Sequence, residues 1–273
     1  MLLLSNLSVE HLSPTGPLKV LNSINLEIQA GERIGLMGPN GSGKTTLVRC
    51  LNGLLQPTRG EVKVDGLSTA DERNLKKIRR LVGMVFQNPE NQIVTTTVEH
   101  EIAFGLENLN MPREEMHKKI EEMLTRFDLE RFRTHPPHLL SGGEMQRLAV
   151  AAVIAMAPRI LVLDEPTSLL DPQSRQSVIN LIDAMHAGTM ADAPMTTLIV
   201  TQFPLEALSC NRLLVMNRGR IVLDGPPVEI FRRSEQLSRI GVRLPMEFEI
   251  VDYLEKISHC NISLNPTVFL PIT

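Results

Sequence analysis

One glycine-rich stretch limits the fold of this chain more than any other feature. Gly38-Pro39-Asn40-Gly41-Ser42-Gly43-Lys44-Thr45 has the spacing G-x-x-x-x-G-K-[ST]. The apolar run 34–37 before it reads as a buried strand. Residues 44–55 after it read as a helix, with Leu47, Leu51, Leu54 and Leu55 on one face. Glycines let backbone wrap closely around an anion, and successive N–H groups and a helix N-terminus supply partial positive charge. Lys44 adds a full charge toward terminal phosphates. The Thr45 hydroxyl is placed to ligate Mg²⁺, and Thr46 completes the expected nucleotide-binding segment. Because glycine makes up about 7% of residues in ordinary proteins, a chance match is on the order of one in a hundred.

The remaining chain reads as alternating strands and helices around that loop. Residues 1–37 suggest short strands with turns, including 18–21 and 24–28, and 81–86 suggest another strand. From Thr97 to Ala157 the period turns helical. Pro112 opens one helix with Met116, Ile120, Met123, Leu124 and Phe127 along its apolar stripe, and Ser141 opens another with Met145, Leu148, Ala149, Ala152, Val153 and Met156 inward. Alternation then returns, with a strand at 160–163, a helix at 173–186, a strand at 197–201, and a strand pair 213–216 and 220–223 around Asn217-Arg218-Gly219. Continuous apolar strands alternating with helices imply a parallel sheet covered on both faces. The expected fold is α/β: a P-loop NTPase core with a mostly parallel sheet, N-terminal antiparallel strands, a helical subdomain inserted at about 88–157, and a short helical C-terminal extension. The expected division is a main domain at 1–227 and the extension at 228–273. Residues 187–195 read as a surface loop.

A second chemical feature follows the apolar run 160–163. Asp164-Glu165 would lie at the C-terminal end of a strand beside the phosphate strand and point into the ligand crevice. Asp164 becomes a partner for Mg²⁺. Glu165 becomes a candidate general base for the water that attacks a γ-phosphate.

Composition removes several classes. Lys plus Arg total 28 against 31 Asp plus Glu, a net charge of −3, and aromatics are 3% with no Trp. That balance and the lack of stacking platforms argue against a nucleic-acid partner. The three cysteines (Cys50, Cys210, Cys260) are widely spaced with no CxxC pair, which argues against a disulfide framework or zinc site and suits a reducing cytoplasm. The apolar start lacks the basic segment of a signal peptide. The uncharged apolar stretch 148–158 ends at Arg159, short of the roughly 20 residues a membrane span needs.

The segment Leu140-Ser141-Gly142-Gly143-Glu144-Met145-Gln146-Arg147 narrows the choice. With Leu163-Asp164-Glu165-Pro166-Thr167 and Ser168-Leu169-Leu170-Asp171 after it, the chain resembles the ATPase subunits of ATP-binding-cassette (ABC) transporters over about residues 5–230. On its own chemistry, Ser141 with two glycines is an anion-binding helix start with no phosphate loop of its own nearby in sequence. The resemblance implies that two such chains sandwich two ATP molecules head to tail. Each ATP would lie between one chain's phosphate loop and the other's Ser141, Gly142, Gly143 and Glu144, as a two-fold interface permits. It also implies that Gln87 contacts Mg²⁺ and the attacking water.

Two positions depart from the family pattern. The family carries a Thr-His pair after its last core strand, and this chain has Thr201-Gln202. A glutamine amide can donate to a γ-phosphate, but it cannot take up a proton, so slowed hydrolysis at this chain's own site is the expectation. The family's adenine-stacking aromatic would fall near His11.

Phe86-Gln87-Asn88-Pro89-Glu90-Asn91-Gln92 and the run 97–108 resemble the energy-coupling-factor importers of cobalt, nickel and vitamins. In the tail, Met246, Ile250, Leu254 and Ile257 share a helical face, and similar tails in that class help pair the two ATPases. The resemblance therefore implies a peripheral ATPase on the cytoplasmic face of the cell membrane. Its partners would be membrane-embedded subunits and a second ATPase, in a homodimer or heterodimer. The rival readings are a nucleotide-gated clamp with weak hydrolysis and a soluble cassette ATPase outside transport.

Overall fold

The computed structural model describes residues 1–13, 16–186 and 195–258. Two sheets and three groups of helices build it. The first sheet, in the order β2-β1-β4-β5, joins β1 (Leu2–Ser13), β2 (Gly16–Ile28), β4 (Arg59–Val64) and β5 (Leu67–Ser68). All its pairings are antiparallel. The short strands expected at the N-terminus are instead one long hairpin. Its register slips between Leu4 and Leu7, between Leu7 and Val9, and between Val9 and Glu10. Those bulges re-phase the alternation, which is why the sequence reads as broken pieces. Asn6 and Ser23, both at positive φ, sit in the irregular stretch.

The second sheet holds β3 (Arg33–Met37), β6 (Val82–Val85), β7 (Ile160–Asp164), β8 (Thr196–Val200), β9 (Arg212–Asn217) and β10 (Arg220–Gly225). Its order is β10-β9-β3-β8-β7-β6, parallel throughout except for the β9–β10 hairpin. Every residue of β3, β6, β7 and β8 is buried, as strands covered on both faces require. The sequence reading set the acidic strand directly beside the phosphate strand. Here β8 lies between them, pairing with both β3 and β7.

Helix α1 (Lys44–Leu51) is shorter than the periodicity suggests. Gly53 turns left-handed at φ +69°, and the Leu55 N–H reaches back to the Arg49 carbonyl, closing the helix end. Helix α2 (Glu72–Leu81) precedes β6 and was not legible beforehand, because its only deeply buried side chain is Ile78.

The helical block contains α3 (Val98–Asn108), α4 (Arg113–Arg126) and α5 (Gly142–Ala155). Thr97 caps α3 through the His100 N–H, and Pro112 precedes α4. Phe127, Met123, Leu124, Leu106 and Leu148 are fully buried at its centre, in a core that continues into β7 and α6 (Pro172–His186). The surface loop expected at 187–195 lies outside the described residues except for Met195, which is buried.

Helices α7 (Pro204–Leu208), α8 (Pro227–Phe231), α9 (Ser234–Arg239) and α10 (Met246–Ser258) are the last helices among the described residues. Phe231 and Phe248 meet at 5.7 Å between ring centroids and anchor α10 to a third small core. The α10 stripe of Met246, Ile250 and Leu254 faces outward, with Met246 72% exposed. The Ile257 side chain and residues 259–273 lie outside the described residues.

Cys50 is buried in the core behind α1, and Cys210 is buried beyond α7. Both are free thiols, and burial pushes each up to about 12. Among the described residues no helix is long and apolar enough to cross a membrane.

Candidate active site

Four adjacent parallel strands deliver the site. β3 runs into the phosphate loop, β8 ends just before Thr201 and Gln202, β7 ends at Asp164 before Glu165, and β6 ends two residues before Gln87. Because β3, β8, β7 and β6 are consecutive in the sheet, all four segments emerge along one edge. This is the carboxyl-edge crevice where open α/β sheets bind ligands.

Close contacts hold the phosphate loop on two sides. A Cβ at Gly38 would lie 2.2 Å from the Met216 carbonyl oxygen of β9, and one at Gly43 would lie 2.8 Å from Leu21 Cδ2 of β2. The turn between β9 and β10 braces the loop from outside: the Gly219 N–H donates to the Ser42 carbonyl at 3.0 Å, and the Asn22 N–H donates to Gly219 at 2.9 Å. Lys44 Nζ donates to the Gly38 and Pro39 carbonyls at 2.8 and 3.2 Å. Burial holds this ammonium below its ordinary pKa, while Glu165 and Asp164 pull it back up. The site thus contains a partly desolvated cation facing two carboxylates.

The carboxylates have different partners. Thr45 Oγ1 donates to Asp164 Oδ1 at 3.2 Å. Asp164 is buried, and that burial raises its pKa. Glu165 is held by two amides: Gln87 Nε2 donates to its Oε2 at 3.1 Å, and Gln202 Nε2 reaches Oε1 and Oε2 at 2.9 and 3.0 Å. Gln202 also lies 3.3 Å from Asn40 Oδ1, which links the loop to the same cluster. Glu165 has φ +51°, an uncommon backbone state for a residue with a side chain. Such strain costs about 1–3 kcal/mol and gathers at functional sites.

Two cavities meet here. One, of about 410 Å³, is lined by Val20, Asn40, Lys44, Thr45, Thr46 and Glu165 among others. The second, of about 500 Å³, is lined by Gln87, Glu165, Ser168, Leu169, Gln202 and Phe203, with Arg243 from the segment before α10. Val20, Phe203 and Arg243 carry no motif, and sequence reasoning passed over them.

Two expected contributors stand apart from these cavities. His11 is exposed on β1 opposite Leu18 and lines neither cavity. Ser141, Gly142, Gly143 and Glu144 also lie outside both. Ser141 caps α5 in a capping box: its Oγ accepts from the Glu144 N–H at 3.4 Å, and Glu144 Oε2 accepts from the Ser141 N–H at 2.8 Å. A Cβ at Gly143 would meet Ser174 Oγ at 2.6 Å, so α5 begins hard against α6, while one at Gly142 would make only an ordinary contact, 3.9 Å from Leu170 Cδ2.

The donor set suits a hard cation. Thr45 and Asp164 offer converging oxygens, and a Mg²⁺ that also binds phosphates needs only one or two protein oxygens. No cluster of three or more His, Cys, Asp or Glu capable of an all-protein metal cage occurs among the described residues. A cradle for phosphates, a carboxylate held for water activation and a hard-oxygen pair together provide the parts of phosphoryl transfer.

Comparison with known proteins agrees. The ABC transporter family model matches residues 21–168. The chain is 44% identical to the energy-coupling factor transporter ATP-binding protein EcfA1 of Caldanaerobacter subterraneus over 237 residues, covering 87% of this chain and 84% of that protein. It is 41% identical to the EcfA1 of Bacillus subtilis, covering 87% and 83%. Among solved structures it is similar to cbiO1 from Clostridium perfringens, described as part of the ABC transporter complex cbiONQ. The identity is 31%, the TM-score is 0.74, and 92% of this chain and 98% of that one are covered. It is also similar to the ATP-binding cassette MJ0796, a dimer bound to ADP and Pi, at 30% identity and a TM-score of 0.75, covering 83% and 99%. The chain therefore belongs to the ABC transporter ATPases, among the energy-coupling factor transporter ATP-binding proteins.

Proposed function

We propose that this chain is the ATP-hydrolysing subunit of an energy-coupling-factor importer for a metal ion or a vitamin. It works at the cytoplasmic face of the membrane and pairs with a second cassette, identical or different. The main domain is 1–227, and the helical block at about 88–157 seats the membrane-embedded subunits. The extension 228–273 adds contacts between the paired ATPases. One observation carries the reading: the Glu165 carboxylate, gripped by Gln87 and Gln202, stands beside the phosphate loop.

That geometry supports the roles of the residues around the phosphate loop, and the family resemblance supports those of Ser141, Gly142, Gly143, Glu144 and His11. Gly38 to Thr46 cradle the phosphates, and Lys44 leaves the Gly38 and Pro39 carbonyls to meet their charge. Thr45 and Asp164 would hold Mg²⁺, which supplies neutralising charge at the β- and γ-phosphates when bound. Glu165 accepts the proton of the attacking water, and Gln87 and Gln202 orient that water and the carboxylate. Ser141, Gly142, Gly143 and Glu144 face the ATP of the partner copy, and His11 stacks on the adenine.

Gln202 favours a second reading, a clamp that closes on ATP and hydrolyses it weakly. Its amide donates to Glu165 and cannot shuttle a proton. Steady-state turnover of the wild type and Glu165→Gln, with ATP-dependent dimerisation followed by light scattering, separates the two. The first reading expects measurable turnover that drops about 10²–10⁴-fold in the variant while dimerisation persists. Equal rates in both proteins would refute Glu165 as the base. Co-purification of membrane subunits tests the transport assignment.

A further inference from the structure

The mechanism above leaves two buried carboxylates unused, Glu101 in the helical block and Glu206 beside the site. Glu206, on α7, is 5% exposed. Its Oε1 accepts from Thr167 Oγ1 at 2.6 Å, and its Oε2 accepts from Thr201 Oγ1 at 2.5 Å. The Thr201 hydroxyl oxygen accepts in turn from the Phe203 N–H at 2.9 Å, so its proton is committed to Glu206. Thr167 lies two residues after Glu165, and Thr201 immediately precedes Gln202. The two segments that meet at their tips through Glu165 and Gln202 are therefore also tied at their roots through one carboxylate.

Arg175 braces the same cluster from α6. Its guanidinium stacks on the Phe203 ring at 3.6 Å, its Nη2 donates to the Leu170 carbonyl at 3.2 Å, and its buried Nε has no hydrogen-bond partner. Leu170 is in the 168–171 loop, and the neighbouring Leu169 is 67% exposed. Arg175 thus spans from the loop that carries an outward-facing leucine to the residue after Gln202.

From this double link we propose that Glu206 is a positioning residue for hydrolysis. It locks the 165–171 segment to the 201–203 segment, so that a displacement of the exposed loop at Leu169 reaches Gln202 and resets it against Glu165. The proposal rests on Glu165 and Gln202 acting at the γ-phosphate as described above. A carboxylate suits this post because two hydroxyls can donate to its two oxygens at once. A glutamine amide there has one accepting oxygen and one donating nitrogen, so one threonine would have to turn its hydroxyl round.

The test uses Glu206→Gln, Thr167→Val, Thr201→Val and the double threonine variant in the full chain. Turnover and KM for ATP are measured with the thermal midpoint, and backbone hydrogen exchange is followed with and without ATP. In Glu206→Gln, kcat should fall roughly tenfold or more with KM and the midpoint little changed, since sub-ångström misplacement acts on chemistry before binding. The double threonine variant should lose no more than the worse single one, because either break uncouples the segments. In the wild type, ATP should slow exchange in 165–171 and 201–206 together, and in Glu206→Gln the two responses should separate. Full turnover in a folded Glu206→Gln, independent multiplying losses in the threonine pair, or exchange responses that stay joined would each overturn the proposal. If Glu206→Gln does not fold, the threonine variants decide by the same criteria. Failure of the underlying site reading would show differently, as unchanged turnover in Glu165→Gln. The exchange measurement reads the coupling even where hydrolysis is slow.

Discussion

Gly38→Ala offers the sharpest check on the loop geometry. The added Cβ would sit 2.2 Å from the Met216 carbonyl oxygen and 2.9 Å from Ser42 Oγ, at φ +151°. Carbon–oxygen contacts settle at about 3.3 Å or more, so something must move by about 1 Å. Met216 is fixed in β9 by its pairing with Ile221, so the phosphate loop yields. The Gly38 carbonyl is the closest partner of Lys44 Nζ, and the lysine moves with it. A shift of about 1 Å in a positioning group costs about 10²-fold in rate, or about 2.7 kcal/mol on the barrier. Overpacking removes about 1–3 kcal/mol of folding stability in addition. The assay is kcat/KM for ATP beside a urea melt. Gly66→Ala is the control: it has positive φ (+79°) and nothing within 4 Å. It should lose about 1 kcal/mol of stability and leave kcat/KM unchanged. A Gly38→Ala protein that turns over ATP within about threefold of wild type would refute the claim that β9 fixes the loop.

Gln202→His should raise kcat, because an imidazole in place of the amide beside Glu165 can carry a proton; an unchanged rate would show that proton uptake there does not limit turnover. Asp164→Asn should abolish turnover yet stabilise the fold at neutral pH. Burial raises the Asp164 pKa, with Thr45 opposing and Glu165 reinforcing, so the folded state favours the protonated acid. Stability tied to this group is therefore highest in acid and is lost as pH climbs from the unfolded carboxylate range through the raised folded value. The asparagine variant should gain on wild type across that window in thermal midpoint, and a gap that does not vary with pH would contradict the assignment. Phe127→Ala, at a fully buried site in the helical block, should cost about 3–5 kcal/mol by chemical denaturation.

Chemistry that is local in the chain was legible in the sequence. The phosphate loop, the acidic pair and the capped start of α5 each lie within a few consecutive residues, and their spacing carries their meaning. Elements whose signal depends on distant packing were not. Helix α2 is a charged run anchored by Ile78 alone, and the long β1–β2 hairpin hides behind its bulges. Periodicity marks a stripe on α10 without saying which side the core lies on, and the structure turns Met246, Ile250 and Leu254 outward. Within the site, the contact of Gln202 with Glu165 spans 37 residues and exists only because β8 adjoins β7. The strand order that creates it cannot be read from alternation, and neither can the pairing of Glu206 with Thr167.

The two buried thiols make the molecule a reporter of its own opening. Burial pushes both thiols up to about 12, so the reactive thiolate is scarce at neutral pH while they stay buried. An alkylating reagent would therefore modify Cys50 or Cys210 mainly during excursions that bare them to water. Once Cys260 is replaced by serine, labelling at Cys50 times breathing of the core behind α1, and labelling at Cys210 times breathing beyond α7. Two separate stopwatches, read by mass spectrometry, would tell whether nucleotide quiets both regions or only one.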